Sequence, residues 1–172
     1  DWLETAIDRR AVRSARIVIA NSALGARGLR EDYGAPRVEI VYNGVDSRRF
    51  CPDPVVRARV RDEQRAQGPV AIFLGNGFRR KGLDYAVGAV DRVPSATLLV
   101  AGKGECPAHP RVRHLGVRRD APRLYAAADA FILPTLYDPF PNVTLEAMAS
   151  GLPIIVSRVA GVQLNHLYEI EE

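Results

Sequence analysis

Residues 134–161 read PTLYDPFPNVTLEAMASGLPIIVSRVAG, and this stretch contains the clearest structural pattern of the chain. The short apolar run AFIL precedes it and is typical of a buried strand. The stretch itself predicts a turn-rich loop, a helix over about residues 143–150 and a second short strand. Asp138 in the loop and Glu146 in the helix are separated by seven residues. Because α/β sheets bind ligands between a strand end and a helix start, we expect the ligand site here.

The second half of the chain alternates short apolar strands with helices. This alternation is typical of a parallel sheet that helices cover on both faces. We therefore predict an α/β fold with a doubly wound, Rossmann-like parallel sheet. The predicted strands are residues 70–74, 96–101, 112–115, 130–133 and 153–157, and the predicted helices are residues 82–93, 121–127 and 143–150.

The beginning of the chain has a different organisation. A predicted strand, a helix with Ser22 as its N-cap and a second strand resemble the closing unit of another sheet. A proline- and arginine-rich stretch follows, and then a polar helix over about residues 54–67. We divide the chain into a first domain of residues 1–46, a linker of residues 47–54 and a second domain of residues 55–172.

The composition is that of an ordinary globular protein with a surplus of positive charge. The 172 residues carry a net charge of +4, and the pI is about 9.4. Nucleic acids, phosphorylated ligands and anionic membrane surfaces would each suit this charge. Nucleic acid is the least favoured of the three, because only 7% of the residues are aromatic and they do not alternate with basic residues.

The sequence predicts neither a metal site nor a membrane span. The two cysteines and three histidines have none of the spacings typical of zinc ligands. No apolar run is long enough for a transmembrane helix, and the first residues do not resemble a signal peptide. We therefore expect a cytoplasmic protein. The chain begins without methionine inside a predicted helix, and we expect it to be a fragment of a longer protein.

Two glycine-rich loops follow the first two strands of the predicted sheet. Glycines allow close backbone approach to a ligand, and a helix start attracts anions. Three cations in the first loop therefore suit a diphosphate, although a turn beside a solvated basic face would look the same. The second loop could equally be an ordinary turn. The candidate residues are Gly75, Asn76, Gly77, Arg79, Arg80 and Lys81 in the first loop, and Gly102 and Gly104 in the second.

The two acids of the opening stretch have three interpretations. Asp138 and Glu146 could form a general acid–base pair. They could instead accept hydrogen bonds from sugar hydroxyls. They could also be a turn aspartate and a helix-terminal charge with no role in binding. Basic, glycine-rich and acidic groups all follow strand ends of one sheet, which favours a ligand with a diphosphate at one end and hydroxylated rings at the other, such as a nucleotide sugar.

Several of these motifs resemble one enzyme family. DPFPNVTLEAMASGLPIIVS, with its two acids and Glu-Ala-Met-Ala, is similar to the signature of the retaining glycosyltransferases of family 4, which have the two-domain GT-B fold. A subgroup resemblance is to bacterial lipopolysaccharide-core glucosyltransferases, through FLGNGFRRKGLDYAVGAV. Further similarities to the family lie in GNGFRRKG, LLVAGKGE, VRHLGVRRDAPRLYAAADAFILPT and VYNGVDSRRFCPD, so the resemblance covers nearly the whole chain.

The resemblance implies a role for each candidate residue. Glu146 would hold the ribose hydroxyls, Asp138 the hydroxyls of the transferred sugar, and Lys81 with Arg80 or Arg79 the departing diphosphate. The candidate catalytic residues are Lys81, Arg80, Asp138 and Glu146, with Arg79 as a donor-binding candidate, and no cofactor or metal is expected. The remaining donor-binding candidates are the glycine-loop residues, Val117 beside the base, and the backbone of Phe140, Pro141, Asn142 and Val143. Three positions depart from the family pattern, which more often has Glu at 138, Gly at 141 and Arg at 75.

The resemblance also implies what lies outside this sequence. The first 46 residues would be a remnant of the acceptor-binding domain, and residues 55–172 a donor-binding domain that is itself truncated at its end. We expect a chain that binds a nucleotide sugar, by family frequency a UDP-sugar, but transfers it poorly. The acceptor would be a lipopolysaccharide, polysaccharide or other glycan, and the full protein would associate peripherally with the inner membrane. A GT-B epimerase and a nucleotide- or phosphate-binding regulatory module are the alternatives.

Overall fold

A computed structural model of the protein describes residues 2–158 and Ala160, with side chains from Ile7 onward. The end of the predicted second domain, beyond Ala160, lies outside the described residues. The chain forms two compact units, one made by residues up to Asn43 and the other by Gly44–Ala160. No helix in the described part of the chain is long and apolar enough to cross a membrane.

The first unit is a strand–helix–strand arrangement preceded by a helix. Ser22 caps the second helix as predicted, because its hydroxyl accepts a hydrogen bond from the Gly25 amide at 3.0 Å. The two strands pair in parallel, and Ala20, Ala26 and Val38 form a small core. The elements are α1 (Trp2–Ser14), β1 (Val18–Ala20), α2 (Ala23–Glu31) and β2 (Val38–Ile40).

The second unit contains the predicted parallel sheet. All four strand pairings are parallel, and the strand order is β5-β4-β3-β6-β7. The chain builds outward from β3 in one direction, then returns to add β6 and β7 on its other side. This reversal creates a crevice between the carboxyl ends of β3 and β6. The strands are β3 (Val70–Leu74), β4 (Thr97–Ala101), β5 (Val112–His114), β6 (Ala130–Leu133) and β7 (Ile154–Val156).

Five helices accompany this sheet, and two of them differ from the sequence prediction. The predicted loop over residues 75–81 contains a one-turn helix. The polar helix ends at Glu63 rather than near residue 67, because Arg65 takes a left-handed conformation with φ 49°. Asp53, which the sequence prediction assigned to a linker, caps the start of that helix. The helices are α3 (Pro54–Glu63), α4 (Phe78–Lys81), α5 (Leu83–Asp91), α6 (Ala121–Ala127) and α7 (Asn142–Ala149).

The core of the second unit explains why its strands are almost continuously apolar. All five residues of β4 are buried, as expected for a strand with helices over both faces. Phe73 on β3 and Phe131 on β6 are also fully buried. Phe50, from the segment that precedes α3, is also buried, and its ring packs edge-on against Tyr125 at 5.9 Å between ring centroids.

Candidate functional site

A very tight backbone contact joins the segments that follow β3 and β6. Gly82 ends α4 with φ 77°, and a Cβ atom placed there would lie 2.0 Å from the carbonyl oxygen of Pro134. Only glycine allows two backbone segments to approach this closely. The residues that follow β3 and those that follow β6 are therefore held side by side, although they are far apart in sequence.

An ion pair joins the two sides of the crevice. The Lys81 ammonium, at the end of α4, contacts Oδ2 of Asp138 in the loop after β6. Lys81 is only 7% exposed and Asp138 only 8%. Buried charges of this kind are stable only when they are paired and hydrogen-bonded. Two of the predicted catalytic residues thus meet at the point where the strand order reverses.

Further hydrogen bonds attach α4 to the loop after β6. The Arg80 carbonyl accepts from the Leu136 amide at 2.9 Å and from the Thr135 hydroxyl at 3.2 Å. The Arg80 guanidinium donates to the Tyr137 carbonyl at 2.7 Å. Because α4 is too short to be stable alone, these contacts hold it in place. They therefore fix the orientation of Lys81.

Both oxygens of Asp138 have partners. Oδ2 contacts Lys81, and Oδ1 accepts a hydrogen bond from the Phe140 amide at 3.2 Å. The short aspartate side chain therefore ties the loop to α4. Each carboxylate oxygen has a second lone pair, so Asp138 can still accept a hydrogen bond from a ligand hydroxyl.

Glycine at position 75 makes room for Lys81. The methylene carbons of Lys81 pass 3.4–3.7 Å from the place where a Gly75 Cβ would lie. A larger residue would compete with this aliphatic chain for space. Arg79 and Arg80 are exposed beside it, so the three cations of the predicted diphosphate site all lie on α4.

The two glycine-rich loops pack against each other. The Gly77 amide donates to the Lys103 carbonyl at 2.8 Å, and the Lys103 amide donates to the Asn76 side-chain oxygen at 2.9 Å. A Cβ on Gly102 would lie 1.8 Å from the Gly75 carbonyl oxygen, and one on Gly104 would overlap the Phe78 ring. Gly102 and Gly104 are therefore required for loop packing, whatever they contribute to binding.

An open cleft of about 650 Å³ lies beside α4. The exposed guanidinium groups of Arg79 and Arg80 line it, together with the carboxylates of Asp84 and Glu105. This mixture of charges contrasts with the buried Lys81–Asp138 pair. The remaining lining residues are Gly77, Phe78, Leu83, Gly104 and Leu136.

Glu146 lies on α7 and has a partner that the sequence prediction missed. The Tyr125 hydroxyl, on α6, lies 2.9 Å from Glu146 Oε2 and 3.0 Å from the Val143 carbonyl oxygen. Tyr125 is completely buried, and burial together with the nearby Glu146 charge raises the pKa of its hydroxyl far above the usual range. The sequence contains one signal for this contact, a tyrosine on a helix whose other buried residues are apolar.

The donor-binding candidates Asn142 and Val143 begin α7, and Phe140 and Pro141 immediately precede it. Pro141 precedes the first helical residue, Asn142, and supplies no amide hydrogen. The Thr144 hydroxyl, in the first turn, is completely buried and is the one buried side-chain polar atom of the described residues that lacks a hydrogen-bond partner.

Val117, the candidate for the base, lies after β5 and is 72% exposed. It follows Gly116, whose carbonyl accepts a hydrogen bond from the Gly102 amide at 2.8 Å.

The described residues contain no group of three or more His, Cys, Asp or Glu side chains that could hold a metal ion. The expectation that the site works without a metal stays a prediction. His114, on β5, is exposed, and its ring packs edge-on against Phe78 at 5.6 Å between centroids.

Solved structures of GT-B glycosyltransferases share the fold of this chain over about half of their own length. The protein crystallised as Anabaena HepE in complex with UDP-glucose superposes with a TM-score of 0.82 at 23% identity, over 99% of this chain and 51% of HepE. The chain belongs to the group 1 glycosyl transferases, whose family model matches residues 68–167.

Curated relatives agree with this assignment. The chain is 32% identical to the mannosylfructose-phosphate synthase of Agrobacterium fabrum, over 87% of its own length and 39% of the synthase. It is 31% identical to LpsE, a lipopolysaccharide core biosynthesis glycosyltransferase of Rhizobium meliloti, over 61% of its own length and 34% of LpsE. The chain thus spans less than half the length of these relatives.

Proposed function

We propose that this chain carries the nucleotide-sugar site of a retaining hexosyltransferase and that a UDP-sugar is the donor. The observation that carries the proposal is the buried Lys81–Asp138 pair at the crevice between β3 and β6. A cation and a carboxylate at a sheet's reversal point suit a ligand with a diphosphate and a hydroxylated ring. UDP-glucose in the HepE complex supports the choice of base and sugar.

The cations of α4 would stabilise the charge that develops on the leaving nucleotide diphosphate. Electrostatic stabilisation of developing charge is usually the largest contribution to catalysis. Lys81 would exchange its contact with Asp138 for a contact with the diphosphate, and Arg80 or Arg79 would add a second cation from the cleft side. Since these groups balance the phosphate charge, the reaction would need no metal or cofactor.

The two acids would then hold hydroxyl groups rather than move protons. Once Lys81 contacts the diphosphate, Asp138 Oδ2 becomes available to a hydroxyl of the transferred sugar, while Oδ1 keeps its bond to the Phe140 amide. Glu146 would accept hydrogen bonds from the ribose. Backbone amides at the start of α7, beginning with Asn142 because Pro141 has none, would face the sugar and phosphate.

The acceptor would be a glycan, with lipopolysaccharide synthesis favoured by the LpsE relative. Acceptor binding, and any peripheral membrane association, would depend on the parts of the relatives that this chain does not span. We therefore propose that the chain binds donor but transfers sugar poorly. Robust transfer from UDP-glucose to a lipopolysaccharide core by the 172-residue chain alone would contradict this proposal.

Calorimetry with UDP, GDP, ADP and a short DNA duplex tests the proposed ligand class. We expect one nucleoside diphosphate, UDP first, to bind and the duplex to bind weakly with a steep salt dependence. Binding of the duplex in the absence of any nucleoside diphosphate binding would overturn the proposal in favour of a nucleic-acid module.

Variants of the two acids test their division of roles. Glu146→Ala is expected to raise the Kd for UDP by roughly 10- to 100-fold, the loss expected for hydrogen bonds to a charged group. Asp138→Asn should change the Kd for UDP by less than about 3-fold, since it removes the competing carboxylate from Lys81 without removing a UDP contact. The Asp138→Asn variant should, however, reduce the factor by which UDP-glucose binds more tightly than UDP.

The control is Asp62→Asn, which neutralises an exposed carboxylate on α3. Calorimetric titration of all three variants with UDP and UDP-glucose gives the comparison. Equal losses of UDP affinity in the Glu146 and Asp138 variants would contradict the assignment of Glu146 to the ribose.

A further inference from the structure

Tyr125 carries a buried hydroxyl group to which the proposed function assigns no role. Its side chain is completely buried, and its ring is held edge-on by Phe50 and tilted against Phe131 at centroid distances of 5.9 and 6.1 Å. Contacts with these two rings leave the tyrosine ring little freedom to move. The position of the hydroxyl is thus set by the core rather than by the helix residues that it contacts.

The Tyr125 hydroxyl reaches two acceptors on α7. It lies 2.9 Å from Glu146 Oε2 and 3.0 Å from the Val143 carbonyl oxygen, and its single proton serves both. The raised pKa of the phenol keeps that proton in place throughout the physiological range, so the group acts as a donor. One Glu146 oxygen is therefore anchored to the core, and the other remains available to a ligand.

We infer that Tyr125 is a positioning residue that holds the Glu146 carboxylate in the orientation needed to bind the ribose hydroxyls of the nucleotide. The inference rests on the proposed function, because it needs Glu146 to face a ribose. Tyr125 itself touches no ligand. Its contribution is to remove the rotational freedom of the glutamate side chain before the nucleotide arrives, which lowers the entropy lost on binding.

The contact also connects the ribose-binding residue to the segment before α3. Phe50 is buried against Tyr125, and Tyr125 is hydrogen-bonded to Glu146. The same tyrosine touches the Val143 carbonyl in the first turn of α7, where backbone amides are proposed to face the donor. Tyr125 thus supports both the carboxylate and the helix start.

The test compares nucleotides with and without ribose hydroxyls. UDP, ADP and GDP are each titrated against the full chain beside their 2′,3′-dideoxy analogues, and the pair that wild type binds is carried to Tyr125→Phe. We expect the Kd of the ribonucleotide to rise roughly 5- to 10-fold in Tyr125→Phe, as for loss of one net hydrogen bond. The Kd of the dideoxy analogue should change by less than about 2-fold.

Two controls separate positioning from a general loss of structure. Tyr85→Phe makes the same chemical change at a tyrosine that is 64% exposed on α5, and it should leave both Kd values unchanged. In a Glu146→Ala background, Tyr125→Phe should have no further effect on the preference for ribonucleotide, because the group that it positions is gone.

The outcomes are distinguishable. Equal weakening of both nucleotides by Tyr125→Phe, or an unchanged preference for the ribonucleotide, would overturn the inference and leave the proposed function standing. Wild type that binds a nucleoside diphosphate without preferring its ribose form would overturn the ribose role of Glu146, and the inference with it. Wild type that binds none of the three would overturn the proposed function as well. If Tyr125→Phe did not fold, Phe50→Leu, which removes one of the rings that hold Tyr125, should reduce the preference for the ribonucleotide, and an unchanged preference would overturn the inference.

Discussion

Lys81→Met is expected to raise the Kd for UDP by about 100-fold, the effect of removing a charge-assisted contact in a partly desolvated site. It should also lower the free energy of unfolding by about 3–5 kcal/mol, because Asp138 would remain buried without its cation. The two effects have different causes, so a second substitution can separate them.

The double variant Lys81→Met/Asp138→Asn removes the unpaired charge. Its stability should return to within about 1–2 kcal/mol of wild type, while its UDP affinity stays as low as that of the single variant. Lys103→Met is the matched control, since Lys103 is the only other lysine of the chain and its side chain is exposed. Calorimetry and urea denaturation provide the two measurements. A double variant that binds UDP like wild type would show that Lys81 serves the fold alone.

Gly82→Ala should destabilise the second unit by more than about 3 kcal/mol, which corresponds to a fall in Tm of at least roughly 6 °C for a chain of this size. The residue has φ 77°, a conformation unfavourable for alanine, and its Cβ would lie 2.0 Å from the Pro134 carbonyl oxygen. The two backbones must separate to make room, and the Lys81–Asp138 contact lies beside them. UDP binding should be lost together with stability.

Gly88→Ala is the matched control for this substitution. Gly88 lies inside α5, and apart from its chain neighbours and the backbone of its own helix, no atom of the described residues lies within 4 Å of the position that its Cβ would occupy. The same change of residue should therefore stabilise the chain by about 0.5–1 kcal/mol, the difference in helix propensity between glycine and alanine. Thermal denaturation followed by circular dichroism measures both. Equal Tm values for the two variants would refute the proposed backbone contact.

The strands and helices were predictable because their signals are local. Short apolar runs between turn residues identified all five strands of the second unit, and their alternation with helices predicted the parallel sheet. Ser22 was identified as a cap by its position before a helix. Asp53 was missed, although an N-cap residue followed by proline is itself a start signal, because the surrounding prolines and arginines suggested a linker.

The side-chain partners at the site were not predictable in the same way. Lys81 and Asp138 are separated by 57 residues, and only the order of β3 and β6 brings them together. Sequence alone predicted that each would face the ligand, and it gave no reason to pair them with each other. The contact of Tyr125 with Glu146 is equally long-range in sequence, across 21 residues, and depends on how α6 packs beside α7.

The glycine at position 102 is explained by packing, and its role in donor binding stays a prediction. Gly102 was predicted either as a donor-binding residue or as part of an ordinary turn. Its Cβ would collide with the Gly75 carbonyl oxygen, so packing alone requires glycine there. The same packing keeps the loop that carries Gly75 and Asn76 in place beside α4.

The proposed function requires that a nucleoside diphosphate bind in the crevice between β3 and β6. Titration of the ¹⁵N-labelled 172-residue chain with UDP, followed by amide chemical shifts, tests it most directly. We expect the largest shifts at Gly75, Gly77 and Lys81 on one side of the crevice and at Phe140 and Val143 on the other. Saturating shifts confined to other parts of the chain, or no shifts at millimolar UDP, would contradict it.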